Sequence, residues 1–365
     1  MRVLHLLPMN KMSGAEKMAL LICKNQQGIE NLVVTGGEEL ARFFEKESIT
    51  TFQMNFSLKN IVKASKMLKA IVREQKIDII HAHDNTASMT AYITKSLYRM
   101  DVKIVSHIHN CYPWLSTNTI QKSVDQFVRP RYDYNIACGT LVSDFYQENT
   151  TYLHDEKCLT LSNAMDMQDI KVMSDEDKVA VKKQFDLPLD KKIIGFIGRF
   201  SEQKGLIPFI KELAQHKGKF ENSHFLIVGS GEEEVLFKTI LAELNLEPYF
   251  SLVGFQEDVY QFYPIIDTFF LPSLYEGLPM VLLEAMAYET TVVSMDVGSI
   301  SEVIDHTQNG FLVEATNYEQ FIEQLLEAQK TTKPLGYHAK QTIEQNFNII
   351  HYNKQLKKVY QQLLA

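Results

Sequence analysis

Short apolar runs punctuate the chain at the spacing of buried strands. In the first half they fall at residues 3–7, 32–34, 50–52, 77–80, 102–108 and 134–137, and the intervals between them carry helical patterns. Strand and helix in alternation, joined by short loops, predict a mainly parallel sheet with both faces covered, since every crossover lays a helix on the sheet. The second half repeats the scheme, with strands at 193–197 and 269–271 and within 224–234 and 290–304, followed by a mostly helical tail over 317–365. In such sheets ligands collect beyond the carboxyl ends of the strands, so the residues after each run are the first candidates for chemistry.

One predicted helix stands out by its charge. Lys59, Lys63, Lys66, Lys69, Arg73 and Lys76 recur every three or four residues, while Ile61, Met67, Leu68, Ile71 and Val72 occupy other faces. The stripe reads either as the solvated face of a surface helix or as a surface drawn to anionic lipid or a lipid diphosphate. In the second case each cation contributes about 1 kcal/mol near a charged membrane.

With 365 residues, 45% of them hydrophobic, the chain can bury two cores. The net charge of −8 argues against general nucleic-acid binding, and it is unevenly placed: residues 1–165 carry a net +3 and the remainder −11. The division expected is a first domain over 1–165, a polar linker over 166–190, a second domain over 191–345 and a terminal helix over 346–365. Cys23, Cys111, Cys138 and Cys158 lie far apart with no Cys-x-x-Cys, which indicates neither a zinc site nor a disulfide framework. The first apolar run is too short for a signal sequence and none reaches the ~18 residues of a membrane span, so a soluble or membrane-surface protein is expected.

Residues 269–287, FFLPSLYEGLPMVLLEAMA, hold the densest candidate chemistry. They read as a buried strand, a loop and a helix opened by Pro279, a residue suited to a first helical turn because it lacks an N–H. The free N–H groups and positive dipole end of a helix start suit phosphate, and Gly277 lets a ligand approach the backbone. Glu276 and Glu284 bracket the turn with seven residues between them. Carboxylates repel phosphate, so their partners would be hydroxyls, as on a ribose and a sugar. Together these features point to a nucleotide sugar.

Other candidates follow other strands. The first runs through a polar break into a helix from Gly14, and 193–197 runs into Gly198, Arg199, Lys204 and Gly205, where two cations at a glycine turn suit a diphosphate. Gly229-Ser230-Gly231 reads as a tight turn. No Gly-x-Gly-x-x-Gly follows the first strand, which counts against a dinucleotide-dependent dehydrogenase. Two His-x-His pairs, His81 with His83 and His107 with His109, read as strand-end residues that cap strands, serve catalysis or hold a metal ion. Asp175-Glu176-Asp177 has the form of an Asp-x-Asp metal motif but follows a cap at Ser174 and reads as the acid of a first helical turn.

The segment 273–287 resembles the signature of retaining glycosyltransferase family 4, two glutamates seven residues apart in a Ser-x-x-Glu-Gly-x-Pro frame. It matches at Ser273, Glu276, Gly277, Pro279, Glu284, Ala285 and Ala287. The resemblance covers nearly the whole chain and implies an α/β fold of the GT-B type, two facing Rossmann-like domains with a cleft between them. The first would lie on the acceptor side and the second would take the nucleotide sugar, with the last helix packing back onto the first. It further implies Glu284 on the ribose hydroxyls, Glu276 on a hydroxyl of the donor sugar, and the backbone of Gly277, Leu278, Pro279 and Met280 facing sugar and phosphate. Arg199, Lys204, Gly198 and Gly14 would meet the diphosphate, His109 the donor sugar, and Gly254 the base. Asn163, Asp166 and Glu302 also match.

The chain departs from the family pattern at three places. Ser13 replaces a glycine before Gly14, Ala164 a glycine between Asn163 and Asp166, and Glu289 and Thr291 stand where Gly-x-Pro usually follows the helix, which must then end without a left-handed glycine. The form of 107–110 resembles enzymes of bacterial surface-polysaccharide assembly. The implied activity is metal-independent, retaining transfer of a hexosyl group from a nucleotide sugar to a saccharide or lipid-linked saccharide. UDP is the commonest donor nucleotide. The setting would be capsule or exopolysaccharide synthesis in the cytoplasm, at the inner face of the membrane, with the basic stripe on anionic lipid. Acceptor choice would lie in loops such as 111–119, where Trp114 could stack on a sugar or merely pack. Three rivals stand beside this reading: a metal-dependent hydrolase using the histidine pairs, a non-catalytic carbohydrate-binding subunit on the same fold, and a nucleotide-sugar epimerase.

Overall fold

The computed structural model describes residues 1–117, 119–153 and 157–365. It divides into two compact units, Met1–Ala164 with Phe347–Ala365, and Met165–Asn346.

Among the described residues the first unit holds seven strands: β1 (Arg2–Leu7), β2 (Glu30–Thr35), β3 (Thr50–Gln53), β4 (Ile79–His83), β5 (Lys103–Ile108), β6 (Tyr134–Ala137) and β7 (Cys158–Thr160). All pair in parallel, in the order β3-β2-β1-β4-β5-β6-β7. Side chains alternate between the faces of a strand, and here the alternation sorts two chemistries. Leu4, Leu6, Ile80, Ala82 and Ile104 form one apolar core with Leu68 and Ile71 of the helix Ile61–Glu74 and Ala87 and Ala91 of the helix Asn85–Tyr98. The other face of the same three central strands carries histidine. The register sets His5 opposite His81 and His83 opposite His107. The helix Ile349–Leu364 reaches this region: Asn353 Nδ2 donates to Ile22 O at 3.3 Å, Lys357 Nζ to Gln27 O at 3.0 Å, and Tyr360 bonds His81.

The second unit holds six parallel strands, β8 (Lys192–Ile197), β9 (Ser223–Val228), β10 (Phe250–Gly254), β11 (Thr268–Leu271), β12 (Thr291–Asp296) and β13 (Phe311–Glu314), ordered β10-β9-β8-β11-β12-β13. Its core is aromatic, with Phe209, Phe225 and Phe270 in mutual ring contact and fully buried. Aromatic pairs of this kind add about 1 kcal/mol each beyond their area. The glycine turn after β9 lets two loops touch: Gly229 has φ +141°, and a Cβ there would overlap the Gly198 carbonyl oxygen. The neighbouring chain is tied by Phe200 N to Ser230 O at 3.1 Å and Glu233 N to Phe200 O at 3.1 Å.

Two local expectations are revised. The run at 77–80 begins a strand that extends to His83, so His81 lies inside β4 and His107 inside β5 rather than at strand ends. Pro279 is not in the first helical turn. It is the extended residue before the helix Met280–Ala287, and its carbonyl accepts from Leu282 N at 3.1 Å. That helix does end without a glycine, but Glu289 itself takes the left-handed conformation, φ +62°. Glu289 N then bonds Met286 O at 3.1 Å, Thr290 N bonds Ala285 O at 3.0 Å, and the Glu289 carboxylate pairs with Lys340 Nζ at 2.8 Å. At the other motif, Ser174 Oγ accepts from Asp177 N at 3.1 Å, so Asp175 to Asp177 form the first turn of the helix Asp175–Gln184. Among the described residues no helix is long and apolar enough to cross a membrane.

Candidate active site

In the second unit the candidates gather at the carboxyl edge of the sheet. Lys204 Nζ lies 2.5 Å from Glu276 Oε1, and Ser273 Oγ donates to the same oxygen at 2.7 Å. Gln203 Nε2 bonds Tyr275 O at 3.0 Å. Glu276 is 7% exposed, so this is a mostly desolvated pair, and removing either partner would strand a charge. The backbone beneath it is clamped. Gly298, at φ +65°, passes so close that a Cβ would overlap the carbonyl oxygens of Glu276 and Gly277, and Ser299 N bonds Gly277 O at 2.9 Å.

Arg199 differs from Lys204. It is exposed, with Nε 2.9 Å from Glu232 Oε2. An exposed pair is worth about 0–1 kcal/mol, so an anion can take Arg199 from Glu232 at little cost. Gly198 N bonds Val228 O at 3.0 Å, and Gly254 O, at the end of β10, accepts from Gly229 N at 2.8 Å. Leu278, Pro279 and Met280 are buried. Glu284 is fully buried on its helix and accepts from Tyr263 Oη at 2.5 Å. Burial, reinforced by that carboxylate, holds the Tyr263 phenol well above its ordinary pKa.

In the first unit Gly14 opens the helix Gly14–Asn25. The Ser13 hydroxyl bonds the carboxyl of Glu16, which is buried, and burial raises its pKa. A carboxyl pushed toward its neutral form repels an anion at this helix start less.

Five imidazoles form a continuous array. Ring centroids lie 5.0 Å apart for His5 and His81, 4.5 Å for His81 and His83, 5.3 Å for His83 and His107, and 4.0 Å for His107 and His109. His5 Nδ1 meets His83 Nε2 at 3.0 Å, His83 Nδ1 meets His109 Nε2 at 3.0 Å, and His81 Nδ1 meets Tyr360 Oη at 2.5 Å. Burial pushes His5 down to about 4 and His109 to about 3, and holds His81, His83 and His107 well below the usual range, with the neighbouring histidines adding to the effect in these three. His5, His83 and His109 bond one another, His81 bonds Tyr360, and among the described residues neither nitrogen of His107 has a hydrogen-bond partner. His5 was not singled out in the sequence, although the His-x-His spacing already set the two members of each pair on one face of their own strand. A third histidine between Leu4 and Leu6 has the same alternation.

The trios His5, His81, His83 and His83, His107, His109 each bring ligand atoms within 4.8 Å of one another. A metal ion lies in the plane of every imidazole it binds, on the lone-pair axis. Here the rings of His107 and His109 are stacked at 29° and those of His81 and His83 at 15°, so an ion in the plane of one ring lies off the plane of the ring stacked on it, and shared binding would need the rings to turn.

Two further expectations have a place in the structure. Trp114 stacks on Tyr112, centroids 5.5 Å apart, and both pack on a core that includes Leu115 and Val142; residue 118 of that loop lies outside the described residues. Lys59, Lys63, Lys66, Arg73 and Lys76 are exposed, and Lys69 Nζ sits 4.3 Å over the Tyr98 ring.

Residues 177–361 match the family model Glycosyl transferases group 1, and residues 12–168 match Glycosyltransferase Family 4. An uncharacterized glycosyltransferase of Haemophilus influenzae is 24% identical over 319 residues, spanning 86% of this chain and 85% of its own. The Escherichia coli UDP-Gal:alpha-D-GlcNAc-diphosphoundecaprenol alpha-1,3-galactosyltransferase is 22% identical over 378 residues, spanning 98% and 96%. Among solved structures, Anabaena HepE in complex with UDP-glucose superposes with a TM-score of 0.85 at 21% identity, over 99% of this chain and 100% of its own. The hydrolase, epimerase and non-catalytic readings give way before these matches. With the group 1 model covering just over half of its length, the chain belongs to the Glycosyl transferases group 1 family, and it is a glycosyltransferase of the GT-B fold.

Proposed function

We propose that the protein transfers a hexose from a UDP-sugar, with retention at the anomeric carbon and without a metal ion, to a saccharide or lipid-linked saccharide in cell-surface polysaccharide synthesis. The observation that carries this reading is the mostly desolvated Lys204–Glu276–Ser273 constellation, which with the exposed Arg199 after the same strand sets cations and a hydroxyl acceptor at one sheet edge. The UDP-galactose enzyme among the relatives and the UDP-glucose complex among the structures support the donor class.

The chemical demand is a leaving diphosphate that gains negative charge as the sugar becomes positive. Arg199, Lys204, the backbone at Gly14 and Gly198 and the start of the helix Met280–Ala287 would stabilise the diphosphate, which removes the need for a metal. Glu276, His109 and the backbone of Gly277 and Leu278 would orient the sugar, Glu284 the ribose, and Gly254 would lie at the base. The bond from the sugar to the phosphate oxygen breaks as the bond to the acceptor oxygen forms, and the acceptor proton passes to the departing diphosphate. Residues 1–165 with 346–365 would serve the acceptor, and 191–345 the nucleotide sugar. The basic stripe would rest on anionic lipid at the inner membrane face.

The test is turnover of UDP-hexoses in EDTA with a short-chain lipid diphosphate saccharide, the product read by NMR. An α linkage from an α-linked donor is expected. A β linkage, or strict dependence on a divalent cation, would overturn the retaining or metal-independent part. For the stripe, reversing Lys59, Lys63 and Lys66 to Glu should abolish flotation with anionic vesicles; unchanged flotation would remove the membrane contact.

A further inference from the structure

We propose that Asn31, His5 and His83 form a relay of fixed hydrogen-bond polarity that holds His109 in its Nε2–H tautomer, leaving Nδ1 a bare acceptor suited to a hydroxyl and not to a phosphate. The polarity is set at the far end of the chain of contacts. Asn31 Nδ2 lies 3.5 Å from Cys23 O, and a carbonyl can only accept, so the amide nitrogen faces Cys23 and Oδ1 faces His5. Oδ1 in turn can only accept, and it lies 3.2 Å from His5 Nε2, which must carry the hydrogen.

The rest follows ring by ring for neutral imidazoles. His5 Nδ1 is then bare and accepts at 3.0 Å from His83 Nε2, which carries its hydrogen. His83 Nδ1 is bare and accepts at 3.0 Å from His109 Nε2. His109 therefore has its hydrogen on the inward nitrogen and a lone pair on Nδ1. Burial of His5 and His83 to about 1% exposure or less keeps the rings neutral. The rings of His81 and His107 lie against those of the relay, and Tyr360 meets His81; none of the three is a carboxylate.

The same geometry fixes what the relay does not do. A proton entering at His109 would have to leave through an amide oxygen, which is a poor base, so the chain orients and does not conduct. Asn31, His5 and His83 are positioning residues acting through His109. That the hydroxyl belongs to the donor sugar rests on the function proposed above. On that reading a sugar hydroxyl donates to Nδ1, and a donor bearing only acceptor atoms at this point meets lone pair against lone pair.

The experiment is two-bond ¹H–¹⁵N correlation NMR on the full chain labelled at histidine nitrogen. The expected result at pH 7 is the Nε2–H tautomer at His5, His83 and His109. His83→Leu should convert His109 to a mixture of tautomers, and His83→Gln, whose amide can both donate to His5 and accept from His109, should restore the single form. His109 found as the Nδ1–H tautomer or charged at pH 7, an unmoved tautomer in His83→Leu, or zinc bound in place of the Nε2 hydrogens would each overturn the relay. Should His83→Leu fail to fold, the wild-type tautomers and Asn31→Leu, which removes the acceptor that sets the polarity, decide the matter. Adding UDP-glucose should move the His109 Nδ1 resonance. A correct set of tautomers with no such movement would support the relay and overturn its assignment to the donor.

Discussion

Each of the two units is a parallel sheet with helices on it, yet the two carry opposite chemistry. The edge of the second sheet presents formal charge, held in pairs: Lys204 with Glu276, Arg199 with Glu232. The first presents five imidazoles held neutral by burial. Charge suits a diphosphate, whose attraction falls slowly with distance. Neutral, oriented nitrogen suits a hydroxyl, where direction discriminates and a full charge would cost desolvation. A shared fold thus leaves chemistry to a few residues, beyond the strands in the second sheet and largely within them in the first.

Acid should separate the units most strongly. Above pH 6.5 the histidines are neutral both folded and unfolded, and the contribution of their burial is complete. As pH falls from 6.5 toward 4 the unfolded chain binds protons that the folded rings refuse, so stability declines with falling pH. His5 alone, with its pKa pushed from 6.5 down to about 4, accounts for on the order of 3 kcal/mol. The second unit has one such group, His224, also lowered to about 4 by burial. Hydrogen exchange at pH 5 should show the first unit opening well before the second; simultaneous opening would erase the contrast.

Lys204→Ala comes next. Loss of one preorganised cation should lower turnover by about 100- to 1,000-fold, measured as UDP release. An unchanged rate would remove Lys204 from the charged edge. Gly229→Ala should destabilise by roughly 1–3 kcal/mol in urea, because φ +141° and the Gly198 carbonyl both oppose a Cβ. The smallest effect is expected from Tyr263→Phe, about 1–2 kcal/mol, since Glu284 loses one donor while buried.

Strand positions and the Glu276 to Glu284 motif were legible because hydrophobic runs and loop chemistry are local. The Asp175 to Asp177 acids were legible for the same reason, through their cap at Ser174. The histidine array was not, because it depends on register between β1, β4 and β5, which no local pattern states. Nor could the sequence show that Tyr263, 21 residues before Glu284, would supply its hydroxyl, or that Lys204 would sit on Glu276 across 72 residues of chain. That the helix Met280–Ala287 ends without a glycine was legible, but not how: Glu289 takes the left-handed turn itself, and its ion pair with Lys340 falls outside any capping pattern.

The most direct test of the donor assignment is thermal unfolding in EDTA with UDP-, GDP-, ADP- and dTDP-sugars, on the native protein and on Glu284→Ala. Ligand at ~100 times its dissociation constant should add about 2.7 kcal/mol, a rise of a few degrees. The expected result is a rise with UDP-sugars that is lost in Glu284→Ala. No rise with any nucleotide sugar, or a rise that the variant retains in full, would contradict the charged edge of the second unit as the nucleotide-sugar site.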